Sequence, residues 1–359
     1  MNQEILSLRK DSAELNQVLL RGTVTRYGET WLALPRETVA NPDGIEAVIF
    51  EIVRSDGMTK PGFFRRWAQA IRIESLTMTL MPGVTLISYG LFRGWDPHWA
   101  VGILALVGVL FFHISVNLLN DVEDHLRLLD LPKKLSGSGV IQKGWFSARA
   151  LRLRGFTILS LGVLLGLPAV VQAPHILFSV GAFGALGVIG YSNQPFAMKY
   201  RALGDYCIFL LLGPLLAIGY SGAFFQRYDA GALCLGLFFG FLAWAIHHLA
   251  HIPQIPSDSG ARVKTLASKI GFKKARHLLV ALYSLAYACI LGGVFLGVLP
   301  LRWTGGAALI VSPWIFRLIL KVYRSSGPLS ARLSSARSTA SGLHFWLGVA
   351  VSIGFALSN

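Results

Sequence analysis

Charged side chains are scarce in this sequence. Only 14% of its 359 residues are Asp, Glu, Lys or Arg, whereas a typical soluble domain has about 25%. Hydrophobic residues make up 53% of the chain. A soluble fold of this length needs far more polar surface to cover its core. The composition therefore excludes an ordinary soluble protein and favours a membrane protein.

Cysteine is also rare. The three cysteines, Cys207, Cys234 and Cys289, lie in apolar stretches and show no CxxC spacing. This pattern argues against a disulfide framework or a zinc ribbon. We expect all three to pack as small hydrophobic side chains. A cleavable signal peptide is not expected either, because residues 1–20 are charged throughout and contain no apolar stretch.

Long apolar runs are what the sequence has in abundance. Runs of this length are sufficient to cross about 30 Å of hydrocarbon as helices. We predict an all-α membrane protein with a nine-helix transmembrane bundle in residues 67–359. The predicted spans are 75–93, 99–120, 155–171, 175–192, 206–223, 231–250, 277–299, 303–320 and 340–357.

Positive charge is distributed unevenly among the predicted connections. Those after spans one, three, five and seven contain only Arg93, Arg227 and Arg302 as basic residues, and the alternate connections are rich in Lys and Arg. Cytoplasmic loops carry such an excess. We therefore expect the N-terminus on the cytoplasmic side of a cell inner membrane and the C-terminus outside. Topology then explains the net charge of +15, and nucleic acid is not an expected partner.

Residues 1–66 differ from the rest in composition and predict a small cytoplasmic α+β segment of unknown role. The apolar residues of its first part predict one helical face, formed by Ile5, Leu8, Leu15 and Leu19. Strands are predicted at 22–27, 30–34 and 46–53, with a turn at Asn41-Pro42-Asp43-Gly44. A segment of this size is marginal alone. We expect it to pack against the membrane domain.

Acidic residues are few beyond this segment, yet four fall within ten positions where span two ends. Asn117, Asn120, Asp121 and Asp124 are spaced i, i+3, i+4, i+7 and so share one helical face, and Asp130 follows. Carboxylates grouped beside apolar residues repel one another unless a cation joins them. Mg²⁺ prefers such oxygen ligands and commonly bridges to substrate phosphates. A solvated, capped helix end is the alternative, but ionisable groups inside a membrane are usually functional.

This acidic pattern resembles the first aspartate-rich motif of the UbiA superfamily of intramembrane prenyltransferases. Further blocks, in the order of the family, resemble its 1,4-dihydroxy-2-naphthoate polyprenyltransferase branch. These blocks are Arg72–Leu76 with Pro82, Ser136–Gly144, and Tyr191–Asp205 with Phe209 and Gly213-Pro214. The Arg-Thr/Arg-Pro signature of the 4-hydroxybenzoate branch does not follow the first motif. The resemblance covers about residues 67–359 and implies the same nine-helix fold.

The second aspartate-rich motif departs from the family pattern. Gln254 occupies the position of its first aspartate and Arg262 that of a glycine, while Asp258 is retained. A neutral amide can still contact Mg²⁺ through its carbonyl oxygen but contributes no charge. Three histidines lie just before or within this stretch, and for them polar packing is favoured over metal ligation: His247, His248 and His251.

The resemblance implies a reaction, a cofactor and site residues. The reaction is transfer of a polyprenyl chain from its diphosphate to an aromatic acceptor such as 1,4-dihydroxy-2-naphthoate, with loss of the acceptor carboxylate, in quinone biosynthesis. Mg²⁺ would be held by Asn120, Asp121, Asp124 and Asp258, and the three carboxylates among these would be catalytic. Substrate contacts are expected from Asn117, Asn120, Arg72, Lys143, Lys199, Arg201 and Lys264.

Three alternatives remain open. Gln254 and Arg262 are compatible with a pseudoenzyme of the same fold, or with a prenyltransferase retuned to another acceptor. A transporter with a cation-coupled carboxylate site is a third possibility. It is less favoured because transporters place their carboxylates near the bilayer midplane, whereas the acidic residues here are predicted at a helix end.

Overall fold

The computed structural model describes residues 4–40, 46–54, 58–131, 137–260, 263–300 and 306–358. The chain divides into two compact units. The first comprises Met1–Ile73 and Ile114–Ile158, and the second comprises Glu74–His113 and Leu159–Asn359.

The first unit begins with a four-stranded antiparallel sheet of strand order β1-β4-β3-β2. Its elements are β1 (Glu4–Arg9), α1 (Ala13–Arg21), β2 (Thr23–Arg26), β3 (Glu29–Ala40) and β4 (Glu46–Arg54). A short helix, α2 (Phe63–Ala70), follows the sheet. The α+β character and the three strands expected from the sequence are thus present, and the turn expected at 41–44 lies outside the described residues.

The helical face predicted to start at Ile5 is wrong, because Ile5 and Leu8 lie in β1. The helix begins only after Ser12, whose side-chain oxygen accepts a hydrogen bond from the backbone N–H of Leu15 at 3.2 Å. Serine favours this capping position because its side chain satisfies an N–H that the first helical turn leaves unpaired. Apolar residues before and after the cap happen to share a helical spacing, although they belong to a strand and a helix.

The sheet and α1 enclose a small hydrophobic core. Its buried members include Leu15 and Leu19 of α1 and Phe50 of β4, and Leu126 and Leu128 pack against the same cluster. The last two follow directly on the acidic stretch of the sequence. The N-terminal sheet therefore packs against the segment that carries the acidic motif, as expected of a segment too small to be stable alone.

Eight segments of the described residues are long and apolar enough to cross a membrane. The long helices are α3 (Thr77–Phe92), α4 (Trp99–Leu126), α5 (Ala148–Gln172), α6 (Pro174–Ser192), α7 (Gly204–Leu212) with α8 (Pro214–Phe225), α9 (Ala230–His251), α11 (Leu266–Phe295) and α13 (Ala336–Ala356). The predicted span 303–320 corresponds to α12 (Gly306–Tyr323), which follows the undescribed residues 301–305 and is not among the eight.

Two details differ from the predicted spans. The fifth span is two helices, because the chain leaves helical geometry at Gly213 and Pro214 opens α8. Proline suits a first helical position, where its missing N–H would have no partner. The long connection expected at 251–276 is largely helical, since it contains α10 (Ile255–Gly260) and the first turns of α11.

The core of the second unit is formed by α3, α8, α9, α11, α12 and α13 and is rich in buried aromatic side chains. Asp229 connects several elements of this core near the start of α9. The carboxylate caps α9 by accepting from the backbone N–H of Ala232 at 2.8 Å. It also accepts from the Tyr89 hydroxyl at 2.7 Å and pairs with Arg93 at 3.3 Å. One carboxylate therefore joins α3 to α9.

We expect Asp229→Ala to destabilise the protein by about 1–3 kcal/mol, because the cap and two polar contacts are lost together. The measurement is the thermal unfolding midpoint of detergent-purified protein. Asp96→Ala, which removes an exposed acid from the same unit, serves as the control and should leave the midpoint unchanged. Equal midpoints for both variants would contradict the organising role of Asp229.

Candidate active site

The acidic residues of the first motif lie at the end of α4 and just beyond it. Asn117, Asn120, Asp121 and Asp124 are all buried on this helix, so the predicted common face is present. Asp130 follows the helix and is also buried, with 1% of its surface exposed. Asp121 and Asp124 are 3% and 1% exposed. Buried carboxylates are rare unless they are paired, which rules out the solvated helix end considered above.

Arg72 provides the counter-charge for Asp121. Its guanidinium forms an ion pair with the Asp121 carboxylate, and its side chain is 12% exposed. The backbone of Arg72 is left-handed, with φ of 52°, a conformation that costs free energy for a residue with a side chain. The chain thus adopts a strained conformation at the residue whose charge faces the acidic cluster.

The segment after the motif completes the surroundings of Asp121. The backbone N–H of Ser138 donates to Asp121 Oδ2 at 3.1 Å, and the Ser138 hydroxyl donates to the same oxygen. Gln69 holds this segment by donating to the Ser138 carbonyl at 2.6 Å. Ser138 and Gly137 belong to the block recognised in the sequence, whose first residue, Ser136, lies outside the described residues.

Gly137 lies between two carboxylates. A Cβ atom at this position would lie 2.6 Å from Asp121 Oδ1, 2.6 Å from Asp130 Oδ2 and 3.0 Å from Arg72 Nη2. These separations are below van der Waals contact, so only glycine fits without displacing charged groups. The glycine allows two acidic side chains and an arginine to converge.

Hydrogen bonds hold the remaining motif residues. The Asn117 side chain donates to the Ile71 carbonyl at 2.9 Å, and that of Asn120 donates to Asp124 Oδ2 at 3.1 Å. Each amide uses an N–H donor in these bonds, and the carbonyl oxygen is the atom of an amide that can contact Mg²⁺. Asn117 contacts the residue before Arg72, so the motif and the arginine are positioned together.

His125 and Gln142 are buried positioning residues that the sequence analysis did not identify. The His125 ring nitrogen Nε2 lies 3.1 Å from the Leu19 carbonyl at the end of α1. Gln142 donates to the Asp130 carbonyl at 3.0 Å. Each is an isolated polar residue that forms no motif of recognisable spacing, and its partners are distant in sequence. The N-terminal sheet unit and the post-motif segment therefore both stabilise the acidic helix end.

The donor set fits Mg²⁺. The carboxylates of Asp121 and Asp124 and the amide oxygen of Asn120 are hard oxygen donors, which Mg²⁺ prefers. They lie on consecutive turns of one helix and are shielded from bulk water.

Asp258 lies in the second unit, in α10, and is buried. Its carboxylate accepts from the Thr265 hydroxyl at 2.8 Å. Thr265 also caps α11 reciprocally with Ser268. Gln254 lies in a 3-10 turn and is half-buried, and Arg262 is outside the described residues. The retained aspartate is thus held by Thr265, the residue that caps α11.

The predicted basic residues fall into two sets. Lys199 is buried, whereas Arg201 and Lys264 are exposed and their backbones form a parallel bridge. This bridge brings the connection before α7 next to the connection before α11, both in the second unit. In the first unit, Arg72 contacts Asp121, and the Lys143 ammonium lies 4.7 Å from the centre of the Trp145 ring.

The long apolar helices and the buried carboxylates at their ends define a helical integral membrane protein with a polar site. Comparison with known proteins assigns its family. Residues 80–348 match the model of the UbiA prenyltransferase family, which is well over half of the chain. The chain belongs to the UbiA prenyltransferase family. It is a membrane prenyltransferase, and the transporter interpretation is set aside.

Curated relatives agree with this assignment. The chain is 25% identical over 285 residues to a 1,4-dihydroxy-2-naphthoate octaprenyltransferase of Haemophilus influenzae, a match that covers 75% of this chain and 89% of the relative. It is 28% identical over 193 residues to UbiA prenyltransferase domain-containing protein 1 of Dictyostelium discoideum. That second match covers 51% of this chain and only 57% of the Dictyostelium protein.

Solved structures share the fold. A UbiA homologue from Aeropyrum pernix superimposes with a TM-score of 0.58 at 14% identity, covering 78% of this chain and 97% of the homologue. A UbiA homologue from Archaeoglobus fulgidus, solved with GPP and Mg²⁺, superimposes with a TM-score of 0.53 at 17% identity, covering 80% and 99%. At these identities the likeness establishes the fold.

We expect Gly137→Ala to reduce prenyl transfer about 100-fold, because the added methyl must displace Asp121, Asp130 or Arg72. Prenyl transfer by purified protein is the measurement. Gly166→Ala is the matched control, since a Cβ there meets no atom within 4 Å. Full activity of Gly137→Ala at an unchanged unfolding midpoint would show that this convergence of charges is not needed.

Proposed function

We propose that the protein transfers a polyprenyl group from its diphosphate to a hydroxylated aromatic acid of the 1,4-dihydroxy-2-naphthoate type, with Mg²⁺ as cofactor. The product would serve quinone biosynthesis. The names of the bacterial relatives and the sequence blocks of that branch support the acceptor class. The family supports the transfer reaction.

One observation carries the proposal for the site: the ion pair between Arg72 and Asp121 within a buried set of oxygen donors. Such a pair offers complementary partners to a magnesium diphosphate. A carboxylate suits the cation, and a guanidinium suits phosphate oxygens, which it can bind in a bidentate manner. Opening the pair in favour of substrate would leave no buried charge unpaired, so the exchange avoids a large desolvation penalty.

Mg²⁺, when bound, would neutralise the diphosphate and make it a better leaving group. Asn120, Asp121 and Asp124 are the proposed ligands in the first motif, and Asp258 is the proposed ligand from the second. Each of these four side chains is buried within its own unit, so water would be excluded from a metal that they hold. Water exclusion protects an allylic cation from hydrolysis.

Donors to the diphosphate oxygens are proposed among the remaining polar residues. Arg72 would donate from the first unit, with Lys143 and Asn117 as further substrate contacts. Lys199 and the bridged pair Arg201 and Lys264, all in the second unit, would add positive charge. Fixed donors gain strength as negative charge develops on the leaving group. The acceptor ring carbon then bonds to the prenyl chain while the bond to diphosphate breaks, and the acceptor loses its carboxylate as CO₂.

The decisive experiment is incubation of purified protein with Mg²⁺, a polyprenyl diphosphate and a panel of aromatic acids, with products identified by mass. A prenylated, decarboxylated naphthalenediol is the expected product. A prenylated product from another acid alone would overturn the acceptor assignment. Release of diphosphate without any prenylated acceptor would overturn it as well.

We expect Asp121→Asn and Asp124→Asn each to lower Mg²⁺-dependent transfer by about 100-fold or more, because each removes a charged metal ligand. The readout is initial rate against Mg²⁺ concentration, and the half-saturating concentration should rise. Glu123→Gln is the control on the same helix, since Glu123 pairs with Arg152 at 3.0 Å outside the ligand set. Wild-type rates in both aspartate variants would refute the metal site.

Gln254 motivates a second candidate, a retuned enzyme of the same family with a different acceptor or a weakened metal site. Its side chain is half-buried, so a carboxylate there would not be fully solvated. We expect Gln254→Asp to lower the Mg²⁺ requirement and to raise the rate severalfold if the second motif works with an incomplete ligand set. A slower Gln254→Asp enzyme would indicate that glutamine is required at this position. Gln254→Ala is the control that distinguishes loss of the amide from gain of a charge.

We further propose that the N-terminus and the site face the cytoplasm, with α12 as a ninth span. The skew of Lys and Arg among the connections supports this orientation. Labelling of single cysteines introduced at Ser7 and Ser358 in intact cells tests it. An impermeant thiol reagent should label the cysteine at position 358 and leave the cysteine at position 7 unlabelled. Identical labelling of the two positions would refute an odd number of spans.

A further inference from the structure

A second polar cluster lies in the second unit, where the first motif has no part. It consists of Asp205, the second residue of α7, together with His247 and His251 on the last two turns of α9. One potential ligand atom from each of the three residues lies within 4.8 Å of the others. Asp205 and His251 are buried and His247 is half-buried. The two imidazole ring centres are 4.3 Å apart.

His247 is held from both sides. Its Nδ1 lies 3.2 Å from Asp205 Oδ1, and its Nε2 makes a hydrogen bond with the Tyr191 hydroxyl. The 3.2 Å separation is longer than a charge-assisted hydrogen bond, which is about 2.7–2.9 Å. It matches the separation of about 3.3 Å between two ligands that each lie about 2.0–2.1 Å from one tetrahedral ion. The pair is thus already spaced for ligation.

His251 supplies an independent reason to expect a ligand. Its Nδ1 is buried and has no hydrogen-bond partner among the described residues. Leaving such an atom unsatisfied is unfavourable by about 1–3 kcal/mol. The Nδ1 of the neighbouring His248 is likewise buried without a partner among the described residues, while its Nε2 contacts the Ala275 carbonyl at 3.0 Å, in keeping with the polar packing expected from the sequence. His251 differs from His248 because it lies close to Asp205 and His247, so its ligand atom can share one ion with theirs.

We propose that Asp205, His247 and His251 bind a divalent transition-metal ion of the Zn²⁺ type, separate from the proposed Mg²⁺ ligands. Two imidazoles and one carboxylate suit Zn²⁺ and related ions, whereas Mg²⁺ prefers oxygen ligands alone. Three protein ligands leave a fourth position for water, as in many zinc enzymes. The ligand atoms lie within 4.8 Å of one another, so no pair must close by more than about 1.5 Å to reach tetrahedral spacing.

Tyr191 fits this site as the outer partner of His247. Histidine ligands usually donate their second ring N–H to an oxygen, which fixes the tautomer and the ring orientation. With Nδ1 on the metal, Nε2–H would donate to the Tyr191 oxygen. Tyr191 lies in α6, so the ion and its partner would join α6, α7 and α9.

Gly204 permits the close approach of these helices. A Cβ at Gly204 would lie 3.1 Å from Lys199 Cα, 3.5 Å from Tyr191 Cε2 and 3.7 Å from His247 Cε1. The glycine directly precedes Asp205, so the backbone at the start of α7 can approach both aromatic rings. The local sequence Gly204-Asp205 therefore supplies both the space and one of the ligands.

Metal analysis of the purified, full-length protein tests the proposal without reference to prenyl transfer. The protein is purified without a polyhistidine tag, stripped with EDTA, equilibrated with Zn²⁺ in excess Mg²⁺, and freed of unbound metal. We expect about one Zn²⁺ per chain and a rise in the thermal unfolding midpoint on Zn²⁺ addition. Substitution with Co²⁺ should give the intense visible absorption of a tetrahedral site. Absence of bound Zn²⁺ in the wild type would overturn the proposal.

Matched variants locate the ion. His247→Gln, His251→Gln and Asp205→Asn should each lose the bound Zn²⁺ and the Zn²⁺-dependent midpoint shift. His248→Gln retains a donor for the Ala275 carbonyl and should keep both, and Asp124→Asn in the first motif should keep them too. Retention of Zn²⁺ in all three ligand variants, or its loss only in Asp124→Asn, would overturn the assignment. The wild-type Co²⁺ spectrum still decides the question if a variant folds poorly.

Discussion

Burial of carboxylates at the end of an apolar helix is the constraint on which the first unit depends. Asp121, Asp124 and Asp130 are almost completely shielded from solvent, and an isolated carboxylate in such surroundings is strongly unfavourable. Three features compensate for this burial near Asp121. Arg72 forms an ion pair with it, the backbone and hydroxyl of Ser138 donate hydrogen bonds to it, and Gly137 has no side chain that would displace it. A strained backbone at Arg72 is tolerated because the ion pair and the neighbouring hydrogen bonds hold it.

The N-terminal sheet supports the helix end that carries these buried carboxylates. Its core is completed by Leu126 and Leu128, and the Leu19 carbonyl lies beside His125. The acidic helix end is therefore supported by a module that precedes the transmembrane helices in the sequence. A rigid support benefits a metal site, because ligand positions must be held within a fraction of an ångström.

Much of this arrangement was predictable from the sequence. Spacing alone placed Asn117, Asn120, Asp121 and Asp124 on one face, because a helix has a fixed period, and apolar length located the spans. Resemblance identified the family and its motif residues. Prediction failed where local patterns were ambiguous: Ile5 and Leu8 share a spacing with α1 but lie in a strand, and Gly213 divides a continuous apolar run. The contacts of Ser138, His125 and Gln142 were not predicted, because their partners are remote in sequence.

The sequence by itself determined the class of protein, eight of the nine predicted spans and the common face of the acidic motif, because hydrophobicity and helical periodicity are local properties. Only the tertiary structure decided which charges meet. Arg72 pairs with Asp121 across 49 positions, and Asp205 meets His247 across 42. Neither pairing is visible as a periodic pattern in the sequence, because long-range contacts depend on how the helices pack. The structure likewise separated His248, which contacts a backbone carbonyl, from His247 and His251, which converge on a carboxylate.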